Sequence, residues 1–249
     1  MKKIALVTGA TGGIGLAVCE NLGKNGYLVI VNDINEEVGK KAISHLEKLG
    51  IEAELAIFDV TCPETVKKHV DAIGQKYGHI DAVINGAGGL GGRQRFEVMD
   101  TEFMHKVMEL NFFSVLYVTN AAIPYLKKGT NPSVITFTSI AGWNSGGPGA
   151  GIYGSSKAAV TTLTRAYAKD LAEYGIRANA VSPGTIDTPF HQETKVNNPQ
   201  LFESWKQGIL MKRFGEPSEV ASVVEFLVSD KASYLTGEII QINGGQAFL

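Results

Sequence analysis

Tyr153 and Lys157 stand four residues apart, a spacing that puts both side chains on one face of a helix. A free phenol titrates near pH ~10, too high for a base at neutral pH. An ammonium group beside it favours the phenolate and lowers that value by ~2 or more units in a partly desolvated pair, roughly 3 kcal/mol in all. Tyr153 is then expected to act as a general acid or base. Ser139 closes the run Thr136-Phe137-Thr138-Ser139, where a strand end would let its hydroxyl donate a hydrogen bond to a substrate oxygen and hold it beside the tyrosine. Alone, a tyrosine and lysine so spaced are more often a core aromatic and a solvated charge, so their meaning depends on the rest of the chain.

A second set of residues has the chemistry of phosphate binding. Thr8-Gly9-Ala10-Thr11-Gly12-Gly13-Ile14-Gly15 follows a short apolar run and opens a helical segment. Glycines there let the backbone approach a pyrophosphate, and the helix N-terminus offers free N–H groups and partial positive charge. Asp33 follows the next apolar run about 20 residues later, where a carboxylate accepts from the ribose 2′- and 3′-hydroxyls. A 2′-phosphate would meet like charge at that position. Its neighbours Asn32, Ile34 and Asn35 are uncharged, and no Lys or Arg interrupts the glycine loop, so NAD is expected rather than NADP. Asp59-Val60 and the second glycine turn, Asn85-Gly86-Ala87-Gly88, each follow a strand-like run and are expected to face the same crevice.

The elements that must position these groups read as alternating strands and helices. Continuous Val- and Ile-rich runs at 4–7, 28–31, 53–58, 82–84, 134–137, 178–181 and 239–242 predict strands buried on both faces. Apolar residues three and four apart predict helices at 13–25, 35–49, 63–77, 101–127, 153–174 and 217–228, with Asn35 as a start signal and Gly50, Gly78 and Gly175 as stops. That alternation implies an α/β fold on a parallel sheet. No linker or repeat divides residues 1–249, and the least regular stretch, 187–213, is expected to be a mobile cover over a site.

Composition excludes several classes. With 23 Lys+Arg against 25 Asp+Glu, a formal net charge of −2, the chain lacks the basic footprint of a nucleic-acid or anionic-membrane binder. Cys19 and Cys62 lie far apart, and the five histidines are scattered without ligand spacing, so neither a disulfide framework nor a metal site is expected. The first apolar run is too short for a signal peptide, and the stretch 110–126 is broken by Asn111, Ser114, Thr119, Asn120 and Pro124, so a cytoplasmic protein without membrane spans is expected.

Taken in order, Thr8-Gly9 with Gly13 and Gly15, Asp59, Asn85-Gly86-Ala87-Gly88, Asn111, Ser139, Tyr153 with Lys157, Pro183-Gly184, and Thr236-Gly237 leading into Asn243-Gly244-Gly245 resemble the short-chain dehydrogenase/reductase family. The resemblance runs from about residue 3 to residue 247. It implies a single-domain, Rossmann-type, doubly wound sheet of seven parallel strands flanked by helices, and hydride transfer between a nicotinamide and a carbonyl or carbinol carbon. It implies a catalytic tetrad in which Asn111 holds a water linked to Lys157, Ser139 orients substrate, Tyr153 transfers the proton, and Lys157 binds the nicotinamide ribose and depresses the tyrosine pKa. Cofactor contacts are implied at Gly9, Thr11, Gly12, Gly13, Ile14 and Gly15, at Asp33 and Ile34, at Asp59 and Val60, and at Asn85, Gly86 and Ala87. Tyr153 and Lys157 touch the cofactor in the same picture, and Pro183, Gly184, Ile186 and Thr188 face its nicotinamide half. A homotetramer built through the helices at 101–127 and 153–174 is implied as well. Two departures stand out: Gly86 replaces the family's usual second Asn, and the Ser139–Tyr153 segment is about one residue longer than usual.

Substrate identity is expected in the loops 89–96, 141–152 and 187–211, which carry Arg93, Arg95, Trp143, Asn144, His191, Gln192, Lys195 and Trp205. Arginine pairs well with carboxylate, which favours a sugar, polyol or sugar acid. The same cations are equally read as solvated loop charges, and the tryptophans as walls of a greasy pocket. The function expected is therefore NAD(H)-dependent interconversion of a secondary alcohol and a carbonyl on a polar small molecule. The alternatives are a 3-oxoacyl-thioester reductase and a non-catalytic nucleotide-binding protein.

Overall fold

The computed structural model describes residues 2–248. Among these, the apolar runs form seven strands, β1 (Lys3–Thr8), β2 (Tyr27–Asp33), β3 (Ala53–Ile57), β4 (Ala82–Asn85), β5 (Ser133–Phe137), β6 (Arg177–Pro183) and β7 (Ile239–Ile242). All pair in parallel, in the order β3-β2-β1-β4-β5-β6-β7. Every residue of β4, β5 and β6 is buried, which is why these strands read as continuous rather than alternating apolar runs.

Parallel strands need long crossovers, and the helices supply them. They are α1 (Gly13–Lys24), α2 (Glu36–Lys48), α3 (Pro63–Tyr77), α4 (Thr101–Met108), α5 (Ser114–Leu126), α6 (Ala141–Asn144), α7 (Gly151–Leu171), α8 (Gln192–Asn197), α9 (Pro199–Ser204) and α10 (Pro217–Val228). One face of the sheet packs on α1, α2 and α10 through Val18, Leu22, Leu46, Val224 and Leu227. The opposite face packs on α3, α5 and α7 through Val66, Val70, Val118, Leu126, Val160 and Leu171. The strand order reverses between β1 and β4, so the connections leave in opposite directions and open a crevice at the carboxyl ends of the strands.

Three findings differ from the pattern expected of the sequence. The helix expected over 101–127 is two helices joined by a π turn, Glu109–Phe113. The helix expected from 153 begins two residues earlier, at Gly151. The irregular stretch 187–213 contains α8 and α9, and Phe202, Ile209 and Phe214 give it a small core of its own. Four- to six-residue helices carry too few turns for a periodic signal. No helix among the described residues is long and apolar enough to cross a membrane.

A buried carboxylate ties the start of the sheet to the loop before β5. Asp81 accepts from Ile4 N at 2.7 Å and Thr130 N at 2.6 Å. Asp81→Ala strands the buried Ile4 amide, at about 1–3 kcal/mol, while the amide of the exposed Thr130 turns to water. Urea unfolding should therefore show a stability loss of about 1–3 kcal/mol.

Candidate active site

The chain reaches the crevice at each strand end, and close backbone approach builds its floor. Gly9 has φ +61°, and a Cβ there would lie 2.7 Å from Ala87 Cα. The first glycine turn therefore packs directly against the second. No side chain caps α1 at Gly12, so its first-turn amides remain for an anion. Thr11 Oγ1 donates to Asp33 Oδ2 in a short hydrogen bond, and Asn35 N donates to Asp33 Oδ1 at 2.9 Å. The carboxylate is thus fixed at the edge of the loop.

The chemical end rests on the contact between α6 and α7. Ser139 Oγ accepts from Ala141 N at 3.1 Å, which turns the chain from β5 into α6. A Cβ on Gly154 would lie 2.8 Å from Ala141 O, and one on Gly142 would lie 3.0 Å from Ala158 N. These two glycines let the helices meet backbone to backbone, and Ser139 and Tyr153 come within hydrogen-bonding reach. Lys157 is 4% exposed, and its Nζ donates to Phe137 O at 2.9 Å and sits 5.9 Å from the centre of the Tyr153 ring.

Asn111 lies on the π turn, fully buried. Its Nδ2 donates to Gly89 O at 2.8 Å and Val107 O at 2.9 Å, while its Oδ1 accepts from Gly89 N at 3.0 Å. A Cβ on Gly88 would lie 2.8 Å from Asn111 Oδ1 and 3.1 Å from Lys157 Nζ, so only that glycine separates the two groups.

The electrostatics correct one expectation. Burial raises the Tyr153 pKa above its ordinary value, opposed by its hydrogen bond to Ser139. Burial also brings the Lys157 amine down to about 8. The expected lowering of the tyrosine by its lysine is not the dominant effect here, because both groups lose water and Nζ points at Phe137 O.

These residues line one cleft of about 790 Å³. It brings together Gly9, Thr11, Gly12, Gly13, Ile14, Gly15, Asp33 and Gly86 with Ser139, Tyr153, Lys157, Pro183, Gly184, Ile186 and Thr188, the last packed against Gly13. Arg93, Asn144 and His191 line it as well. Ile34 is exposed beside it, and Val60, Ala87 and Asn111 lie outside its lining. Asp59 Oδ1 is held within its own turn by Thr61 N at 2.8 Å and Thr61 Oγ1 at 2.7 Å, whereas Asn85 Nδ2 reaches across to α5 and donates to Thr119 Oγ1 at 2.9 Å. Trp143 and Arg95 are exposed and do not line the cleft. Three lining residues had no signal of their own in the sequence: Phe190, whose ring centre is 6.2 Å from that of Tyr153, Thr194, and Gln246, which returns from the C-terminal end to accept from Thr185 N at 3.0 Å.

A family model described as Enoyl-(Acyl carrier protein) reductase matches residues 9–247. The chain belongs to the short-chain dehydrogenase/reductase family. As such it is an oxidoreductase of a family that uses a nicotinamide cofactor. It is 37% identical over 98% of its length to the 3-oxoacyl-acyl-carrier-protein reductase FabG of Thermotoga maritima, covering 97% of that protein. It is 36% identical over 98% of its length to a cyclopentanol dehydrogenase of Comamonas sp., covering 96% of it. Among solved structures, the NADH-dependent reductase A1-R′ responsible for alginate metabolism superposes with a TM-score of 0.90 at 34% identity, over 100% of this chain and 98% of that one.

Lys157 gives this short-chain dehydrogenase/reductase a pH signature. With the folded amine titrating at about 8 instead of the ordinary 10.5, the unfolded chain binds more protons between those values, so stability rises with pH there. Lys157→Met removes this dependence. Between about pH 7 and pH 10, chemical denaturation should show wild type gaining roughly 2 to 3 kcal/mol on the variant.

Proposed function

We propose that the protein is an NAD(H)-dependent oxidoreductase that interconverts a secondary alcohol and a carbonyl on a polar small molecule such as a sugar, polyol or sugar acid. The observation that carries the reading is one cleft joining an uncapped helix N-terminus and Asp33 to Ser139, Tyr153 and Lys157. The glycine turn and free first-turn amides suit a pyrophosphate, so the residues present fit a nicotinamide dinucleotide. When bound, it supplies or accepts the hydride. In the reducing direction Ser139 donates a hydrogen bond to the substrate carbonyl oxygen, and Tyr153 delivers the proton to that oxygen. Lys157 holds the nicotinamide-side ribose, and its ammonium favours the phenolate left on Tyr153. Asn111 steadies the Gly88-Gly89 turn against Lys157 and holds the water expected to link them.

NAD rather than NADP follows from Asp33. Its carboxylate, anchored by Thr11 and Asn35, suits ribose hydroxyls and opposes a 2′-phosphate. The segment 187–213 serves as the cover of the cleft through Thr188, Phe190, His191 and Trp205. A second reading, reduction of a 3-oxoacyl thioester, is favoured by the 37% identity with the Thermotoga reductase. Association into a tetramer through α4, α5 and α7 is supported by the outward Phe113, which stacks on Tyr117 with ring centres 6.3 Å apart.

Three measurements test this. Tyr153→Phe should leave NADH affinity near wild type and lower turnover by about 10²- to 10⁴-fold, read by fluorescence titration and steady-state rates; comparable activity would remove Tyr153 from the chemistry. Asp33→Ala should narrow the ratio of kcat/KM for NADH over NADPH by about tenfold or more, and an unchanged ratio would make Asp33 merely structural. Rates on polyol and sugar-acid carbonyls against a 3-oxoacyl thioester, each with NADH and NADPH, decide between the two substrates.

A further inference from the structure

The charges lining the cleft are unevenly placed. Among the described residues its only carboxylate is Asp33, at the nucleotide end, and its only Lys or Arg side chains are Lys157 and Arg93. Lys157 is already held by Phe137 O beside the tyrosine. Arg93 therefore supplies the charge at the substrate end. Lys195, on the covering segment, is paired with Asp187 at 3.0 Å, and Arg95 does not line the cleft.

The surroundings of Arg93 are donor-rich. Its Nη1 donates to Pro148 O at 3.1 Å, and among the described residues it forms no ion pair. That anchors the guanidinium on the loop between Ser139 and Tyr153 with most of its five donors unspent. Asn144, on the same wall, accepts from Gly146 N at 2.9 Å through Oδ1, and its Nδ2 donates to no described residue. His191 faces them from the covering segment, fixed among Phe190, Phe202 and Trp205 with ring centres 5.0 to 6.0 Å away. Burial lowers the His191 pKa; the Asp187 carboxylate opposes this, and the Arg93 charge adds to it, so Arg93 and His191 share one electrostatic neighbourhood.

From this placement we infer that the substrate carries a carboxylate, and that Arg93 binds it by charge-assisted hydrogen bonds while Asn144 and His191 serve neighbouring hydroxyls. The inference rests on the proposed alcohol–carbonyl activity and narrows its substrate to hydroxy- and oxo-acids. Tyr153 and Ser139 hold the reacting oxygen at one end of the substrate, and Arg93 holds the anion at the other. A forked arginine–carboxylate pair adds specificity as well as affinity. The Ser139–Tyr153 loop contributes to this directly, because its Pro148 carbonyl orients the guanidinium.

The test uses matched pairs differing only in a carboxylate replaced by a hydroxymethyl group: 2-keto-D-gluconate against D-fructose, and 5-keto-D-gluconate against L-sorbose. Wild type, Arg93→Met and Arg93→Lys are assayed with NADH. Hydrogen bonds to charged groups are worth enough to predict that at least one acid is preferred over its partner by about 10- to 100-fold. Arg93→Met should erase that preference, mainly through the KM of the acids, and Arg93→Lys should partly restore it. Equal use of acids and neutral partners by wild type, or an equal loss on both in Arg93→Met, overturns the inference and makes Arg93 a loop anchor. Turnover confined to uncharged carbonyls also overturns it while leaving the alcohol–carbonyl reading intact. Absence of Tyr153-dependent turnover on every carbonyl overturns that reading itself.

Discussion

Lys157 is an amine held almost out of water, with one hydrogen bond to the last carbonyl of β5. That bond ties α7 to the sheet at the point where β5 turns into Ser139 and α6. Burying an amine is costly, and the lowered pKa shows the cost falling on its charged form. The rest of the site is arranged around this constraint. Gly142 and Gly154 let α6 and α7 meet closely enough for Ser139 to reach Tyr153, and Gly88 leaves room for Nζ beside Asn111. A larger residue at any of these positions would push apart the groups that meet here.

The sheet supplies the second requirement, a common edge. Reversal of strand order between β1 and β4 opens the crevice where the glycine turn, Asp33 and Ser139 all emerge. Tyr153 and Lys157 sit on the long helix α7 packed against the sheet, whereas the cover is built of short helices around a three-residue core. The cleft is electrically polar, with Asp33 at one end and Arg93 at the other.

Much of this was legible in one sequence. The strands announced themselves because burial on both faces demands unbroken apolar runs, and the helices of twelve residues or more because one face must be apolar. The Tyr153–Lys157 spacing, the glycine turn and Asp33 were legible for a similar reason, since local spacing sets them on one face or one loop. Asn111 was reached only through resemblance, because a π turn inside a helix leaves no periodic mark. The helices at 141–144, 192–197 and 199–204 were too short to show one.

The sequence by itself determined the element order and most of the residues that line the cleft, because these depend on composition and on spacings within a few turns of chain. Tertiary structure alone decided which cation stays available to substrate, separating Arg93 from Lys195, which meets Asp187, and from Arg95, which lies off the cleft. It also decided the direction of the tyrosine pKa, the retention of Asp59 within its own turn and the tie of Asn85 to Thr119 on α5. Charge pairing and desolvation depend on which groups approach through space, across tens of residues, and no local pattern encodes them.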